Sequence, residues 1–223
     1  MIAHLAMIMD GNRRWAKKQG MFAWLGHRQG AKNVEMVIKY CLDQKISYLS
    51  LYTLSLENLT NRPQQERDYI FLLIKESQSN LDQFIKSDVK IRFVGDLSGV
   101  PAETAKLCKN MELATSHCKT LTCNFLFCYG GQQEIVASVQ KVIDSGQQKI
   151  TAELLKQNSW MGDIPDPEII IRTGGVQRLS NFLLFQVAYS EIRFLDCLWP
   201  DLTREILDET VQDCIKVQKN FGV

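Results

Sequence analysis

The chain has 223 residues, 45% of them hydrophobic, and carries 26 Lys and Arg against 25 Asp and Glu for a formal net charge of +1. That length and apolar content suffice for one sizeable core, so a single domain over 1–223 is expected. Near-neutral charge argues against a general nucleic-acid binder, which would carry a strong basic excess, and leaves any bound anion to local arginines.

The first predicted element is a buried strand over 5–9, an apolar run that turns abruptly into Asp10-Gly11-Asn12-Arg13-Arg14-Trp15. Asp10 is able to hold a divalent cation, Gly11 to let backbone approach a ligand, and Asn12 and Arg14 to donate to phosphate oxygens. The same residues also read as the caps and solvated arginines of an ordinary strand-to-helix turn. A short basic helix then ends at Gly20, and a loop over 21–25 carries the apolar Phe22 and Trp24. Over 27–44 Ala31, Val34, Val37, Ile38, Cys41 and Leu42 recur at helical spacing and give one apolar face.

The β-branched and aromatic run 46–54 predicts a central strand, followed by a polar loop over 55–63 that closes on Pro63, placed to start a helix. The helix predicted over 66–86 is apolar on more than one side in its first half. Deep burial accounts for that, and so does a role as one wall, with the 27–44 helix, of an apolar tunnel over the sheet. A third strand over 89–94, an amphipathic helix over 101–117 and a fourth strand over 121–128 follow, with Tyr129-Gly130-Gly131 opening the next helix. A short helix capped by Thr151 leads through Pro165-Asp166-Pro167 to a buried strand over 168–171, which ends in Arg172-Thr173-Gly174-Gly175. A last strand over 192–195 precedes a final helix over 204–220, capped by Thr203 and closing at Gly222. Strands alternating with helices imply an α/β fold with a largely parallel sheet covered by helices on both faces.

Two strand ends, near Asp10 and Arg172, are dressed for anions, and the second offers Arg172, Arg178 and Ser180 with glycines between them. Two diphosphates held side by side would use both, with arginine forks on phosphate oxygens and glycines keeping backbone N–H groups accessible. An ordinary polar loop is the other reading of Arg178 and Ser180. No GxGxxG follows a strand, and GxxxxGK[ST], DDxxD and GxSxG patterns are missing, which removes the common nucleotide, all-helical prenyltransferase and nucleophile-elbow readings. Seven cysteines form neither a disulfide framework nor a paired CxxC zinc spacing, and fit a reduced, cytoplasmic protein. No apolar run approaches the roughly 20 residues that span a bilayer, so any membrane contact is expected from the surface.

The run from Asp10 to Lys17, with Gly26-His27-Arg28-Gln29-Gly30 and later Arg172-Thr173-Gly174-Gly175 and Arg178-Leu179-Ser180-Asn181-Phe182, resembles the cis-prenyltransferase family, most of all its bacterial undecaprenyl diphosphate synthases. The resemblance extends from about His4 to the last helix. It implies a hydrophobic tunnel between the sheet and two helices, and successive cis-condensation of isopentenyl diphosphate onto an allylic diphosphate such as farnesyl diphosphate. The implied product is a long polyprenyl diphosphate, the carrier lipid of bacterial wall glycans.

By the same resemblance Asp10 anchors Mg²⁺ through the phosphates, and Asn12, Arg14 and His27 grip the allylic diphosphate. Gly11, Arg13, Trp15, Glu57 and Arg62 join them in substrate binding. Arg172, Arg178 and Ser180 hold the diphosphate of isopentenyl diphosphate. Ser55 and Asn58, the latter catalytic, belong to a mobile loop that positions substrate and aids proton removal, and Glu66 opens the helix after it. Glu191 assists metal binding and dimer contacts, and Thr53 and Leu54 shape the tunnel. A cytoplasmic homodimer, peripheral at the inner membrane face and delivering its product there, is implied.

Departures from the family pattern are Ala23 where an arginine is common, Leu59 where an aromatic is usual with Thr60 added, and Val176 and Gln177 where Glu and His are usual. The segment 218–222 lacks the arginines often found there. These departures motivate a second reading, a non-catalytic binding subunit of a hetero-oligomer.

Overall fold

The computed structural model describes residues 2–216. Six apolar or β-branched runs form β1 (His4–Ile8), β2 (Tyr48–Ser55), β3 (Val89–Val94), β4 (Leu121–Tyr129), β5 (Ile169–Arg172) and β6 (Glu191–Phe194). They pair in the order β3-β4-β2-β1-β5-β6, and every pairing is parallel. All residues of β1 and β5 are buried, as expected where helices cover both faces of a parallel sheet. The chain runs to one side of β1 through β2, β3 and β4, then crosses to its other side for β5 and β6. That reversal sits between β1 and β5, and in open parallel sheets the crevice beyond such a point is where ligands bind. Asp10 and Arg172 stand at its lip.

The helices are α1 (Asn12–Lys18), α2 (Gly26–Asp43), α3 (Leu56–Asn61), α4 (Gln64–Ser77), α5 (Leu81–Lys86), α6 (Ala102–Ala114), α7 (Gly131–Asp144), α8 (Ala152–Asn158) and α9 (Arg204–Lys216). On one face of the sheet Leu5, Met7, Leu49 and Leu51 pack with Val37, Ile38 and Cys41 of α2 and with Leu207, Val211 and Cys214 of α9. On the other, Ala6, Ile8 and Ile170 meet Met161, Phe182 and Leu183.

Three elements differ from the sequence expectation. The polar stretch 55–63 contains α3, because the Ser55 hydroxyl caps it by accepting from Asn58 N at 3.1 Å and Glu57 favours its first turn. The helix expected over 66–86 begins at Gln64 and breaks into α4 and α5 around a 3₁₀ turn, Gln78–Asn80. There the hydroxyls of Ser77 and Ser79 donate back to the carbonyls of Ile74 and Glu76, both at 2.7 Å, competing with the helical ladder. The loop 21–25 holds a 3₁₀ turn, Ala23–Leu25. The final helix is described to Lys216; its expected continuation to 220 and its close at Gly222 lie outside the described residues.

Between α2, α4 and the sheet lies a cavity of about 1250 Å³, larger than the roughly 300–1,000 Å³ of ordinary small-molecule pockets. Its lining includes Asp10, Arg13, His27 and Arg172 from the strand-end crevice, and the apolar Leu73, Phe84, Phe93, Met111 and Phe125. The α2–α4 seam over it is bridged by Arg28, which donates to Glu76 at 2.8 Å and to the Tyr69 hydroxyl at 2.9 Å. No helix among the described residues is long and apolar enough to cross a membrane.

Candidate active site

The parallel register of β1 and β5 sets Ile8 opposite Arg172, so the residues just past both strands share one space. The Arg172 side chain, 5% exposed, donates from Nη2 to Asp10 Oδ2 at 2.9 Å. Its Nη1 donates to Ser180 Oγ at 2.8 Å and to the Arg178 carbonyl, and Arg178 Nε reaches the same Ser180 hydroxyl at 3.2 Å. Arg14 donates to Asp10 Oδ1 at 3.2 Å and to the Gly174 carbonyl at 2.7 Å. Gly174 has φ +91°, a conformation that favours glycine. The Asp10 carbonyl is fixed by Trp199 N at 2.9 Å and Thr173 Oγ1 at 2.7 Å. One carboxylate, 31% exposed, therefore gathers two guanidinium groups, and Arg172 Nε is buried without a partner, a donor suited to an anion.

A second centre forms where α1, α2 and the start of α4 meet. Glu66, 3% exposed, lies 3.1 Å from His27 Nε2, 3.3 Å from Arg62 Nη1 and 3.6 Å from Arg13 Nε. Burial pushes the Glu66 carboxyl up, but the His27 hydrogen bond and the Arg62 and Arg13 charges outweigh it and hold it below its ordinary range. Burial lowers the His27 pKa, with Arg62 acting in the same direction against Glu66. Asn12 lies beside Gly30 of α2, where a Cβ would come within 2.2 Å of Asn12 Oδ1, itself buried and unpartnered.

Asn58 and Ser55 line the cavity on its α3 side. Glu57 accepts from Asn181 Nδ2 at 2.7 Å. Burial raises the Glu57 pKa, but hydrogen bonds from its own N–H, Asn181 and Ser55 bring it below the usual range. Thr53 lines the cavity, whereas Leu54 is buried beside Ile70 and Phe127. Gly11 borders a small groove next to the mouth.

Two expected residues are not brought here. Trp15 lines neither cavity nor groove, its Nε1 donating to Asp201 at 2.7 Å, because its place on α1 turns it toward the loop before α9. Glu191 pairs with Arg193 at 3.1 Å and lies level with Ile169 and Leu5 at the opposite end of the strand ladder. Asp10 lies five positions beyond Leu5, roughly 16 Å along a strand, so Asp10 and Glu191 of one chain do not share an ion.

Sequence reasoning did not single out Tyr52 or Asn181. Tyr52 donates to the Ser180 carbonyl at 3.2 Å, and its register position opposite Ile8 was the signal that places it at the crevice. Among the described residues no group of three His, Cys, Asp or Glu side chains could form a metal cage. A single open carboxylate beside anion-binding arginines nevertheless suits Mg²⁺, which keeps waters and substrate phosphates as most of its ligands.

A family model described as putative undecaprenyl diphosphate synthase matches residues 8–222. An isoprenyl transferase of Fusobacterium nucleatum subsp. nucleatum is 36% identical over 220 residues, covering 98% of this chain and 95% of that one. The tritrans,polycis-undecaprenyl-diphosphate synthase (geranylgeranyl-diphosphate specific) of Methanopyrus kandleri is 38% identical over 228 residues, covering 98% and 84%. Among solved structures, lavandulyl diphosphate synthase from Lavandula x intermedia, in complex with dimethylallyl diphosphate, superposes with a TM-score of 0.94 at 27% identity, covering 100% and 98%. A probable undecaprenyl diphosphate synthase from Campylobacter jejuni gives 0.86 at 32%, covering 100% and 99%.

Proposed function

The chain belongs to the undecaprenyl diphosphate synthase family, and from that premise we propose how its own residues carry out cis-prenyl chain elongation. One observation carries the proposal: residues of two arginine-bearing centres line one cavity of about 1250 Å³ together with the apolar Leu73, Phe84, Phe93, Met111 and Phe125. The allylic diphosphate lies against Arg13, Arg14, His27 and Arg62, with Asn12 and Gly11 beside it. The diphosphate of isopentenyl diphosphate lies against Arg172, Arg178 and Ser180. The hydrocarbon tail lies against those apolar side chains, where each added isoprene removes more apolar surface from water.

In each cycle the allylic C–O bond breaks and diphosphate leaves with the electron pair. The alkene of isopentenyl diphosphate bonds to the vacated carbon, and the resulting cation passes a proton to the released diphosphate as the new double bond forms. The residues contribute positioning and charge stabilisation on the leaving group. Asn58 and Ser55, at the start of α3, orient the carbon that loses its proton. Asp10 would hold Mg²⁺, which when bound would supply further neutralisation of the leaving diphosphate.

The protein is read as one domain over 1–223 and as a cytoplasmic homodimer that delivers product to a membrane surface. Any role of Glu191 at a metal then requires a second copy. The similarity to isoprenyl transferases and undecaprenyl diphosphate synthases favours the enzyme over the non-catalytic alternative. Labelled isopentenyl diphosphate is expected in a butanol-extractable product only when farnesyl diphosphate and Mg²⁺ are both present. Persistent failure across detergents and divalent metals overturns the proposal. Light scattering checks the dimer.

A further inference from the structure

The connection between α1 and α2 takes no part in the chemistry above, yet it carries the apolar side chains singled out in the sequence. Phe22 is 67% exposed and Met21 37%, and the Phe22 ring stacks on Trp24 at 4.7 Å between centroids and 6° between planes. The charge around it is one-sided. Between Asp10 and Glu35 stand Arg13, Arg14, Lys17, Lys18, Arg28 and Lys32 and no acidic residue, in a chain of net charge +1. Arg13, Arg14 and Arg28 are engaged with Glu66, Asp10 and Glu76. Lys17, Lys18 and Lys32 are exposed and have no acidic partner within 4 Å among the described residues. Lys17 also lines the groove beside the cavity mouth.

We propose that the tip formed by Met21, Phe22 and Trp24, with Lys17 and Lys18 behind it, docks the cavity mouth onto an anionic lipid surface. The unbalanced cations fix the sign of the partner. Its kind follows from size and shape. A specific protein interface buries about 800 Å² on each side, far more than three side chains on a short connection supply. A few aromatic side chains beside a pair of lysines are sufficient to hold a protein at a membrane interface. The position fits a site whose product is an isoprenoid lipid, and in that respect the inference rests on the proposed function.

Flotation of the full chain with phosphatidylcholine vesicles, with and without phosphatidylglycerol, is the test. The protein is expected to float with the anionic vesicles and to be released by salt, which screens the lysines. Lys18→Glu and Phe22→Ser are each expected to lower the partition coefficient about tenfold. No flotation, equal flotation on neutral and anionic vesicles, or undiminished flotation of both variants overturns the inference. Neither residue lines the cavity, so turnover of both variants in detergent stays at the unsubstituted level. If one variant also loses turnover there, the other carries the test. A protein that floats but makes no polyprenyl product removes the transferase reading and leaves the docking surface standing.

Discussion

Asp10 and Glu66 are both single carboxylates ringed by cations at the mouth of one cavity, and they differ chiefly in access to water. Asp10 is 31% exposed and its two arginines come from α1 and the end of β5. Glu66 is 3% exposed and serves two arginines and a histidine. The open carboxylate can exchange its partners for a ligand. The enclosed one cannot, and holds Arg62 and His27 in place. Similar charge counts thus produce an accessible carboxylate in one place and an enclosed counter-charge in the other.

The sharpest way to break this contrast is to remove each charge. Asp10→Asn keeps an oxygen for Arg172 but loses the carboxylate, and turnover is expected to fall on the order of 10³-fold with Tm within about 3 °C of the parent. Glu66→Ala is expected to act on the fold, costing about 3 kcal/mol in a urea titration because it leaves Arg62 and His27, 16% and 12% exposed, without the acceptor they share, whereas Asp10→Asn leaves Arg172 an acceptor. If Asp10→Asn is instead the destabilising variant, or Glu66→Ala leaves stability intact, the assignment is reversed.

Acid offers a smaller contrast, between the Glu66 centre and the opposite end of the sheet. His4 is fully buried, with Nε2 2.8 Å from Ser50 Oγ, and burial pushes its pKa down from 6.5 to about 4. The unfolded chain binds this proton more tightly, so stability is full above pH 6.5 and declines as pH falls from 6.5 to about 4. The loss attributable to His4 is roughly 3 kcal/mol. His27 is shifted in the same direction. His4→Gln is expected to flatten the acid limb of a stability–pH curve without altering turnover at pH 8. His27→Gln flattens it less, since Glu66 partly offsets the shift, and reduces turnover. Equal effects of the two substitutions on turnover would erase the distinction.

What was legible in the sequence follows the same division. The Ile169-Ile170-Ile171 run ending at Arg172, and the apolar run ending at Asp10, announced buried strands with charged tips, because burial on both faces leaves an uninterrupted apolar signal. The pairing of Glu66 with His27 spans 39 residues, and nothing in local pattern encodes it. Helix α3 was hidden because its apolar positions are too few to show a period. Glu191 followed from resemblance alone, and only strand register reveals its distance from Asp10. Asn181 stood inside a quoted motif, but its importance depends on contacts made across the fold.

Those contacts supply the finest test of the comparison, since they join the Asp10 side of the mouth to α3. Ser180 and Asn181 both have positive φ, +53° and +64°, a conformation that non-glycine residues adopt at some cost and that surrounding bonds must hold. The Asn181 carbonyl accepts from Gly131 N at 2.7 Å, its Oδ1 from Gln132 N at 2.8 Å, and its Nδ2 donates to Glu57 Oε1 at 2.7 Å. Asn181→Asp keeps the first two bonds and sets a second carboxylate against Glu57, so the Ser180 hydroxyl under Arg172 and Arg178 should be displaced relative to Asn58. The expected result is a higher KM for isopentenyl diphosphate with a smaller change in kcat. In a Glu57→Gln background the new amide can donate to the carboxylate introduced by Asn181→Asp, and the penalty of that substitution should shrink by about 1–2 kcal/mol. An equal penalty in both backgrounds would show that the two anion sites are set independently, and that only the carboxylates at their centres distinguish them.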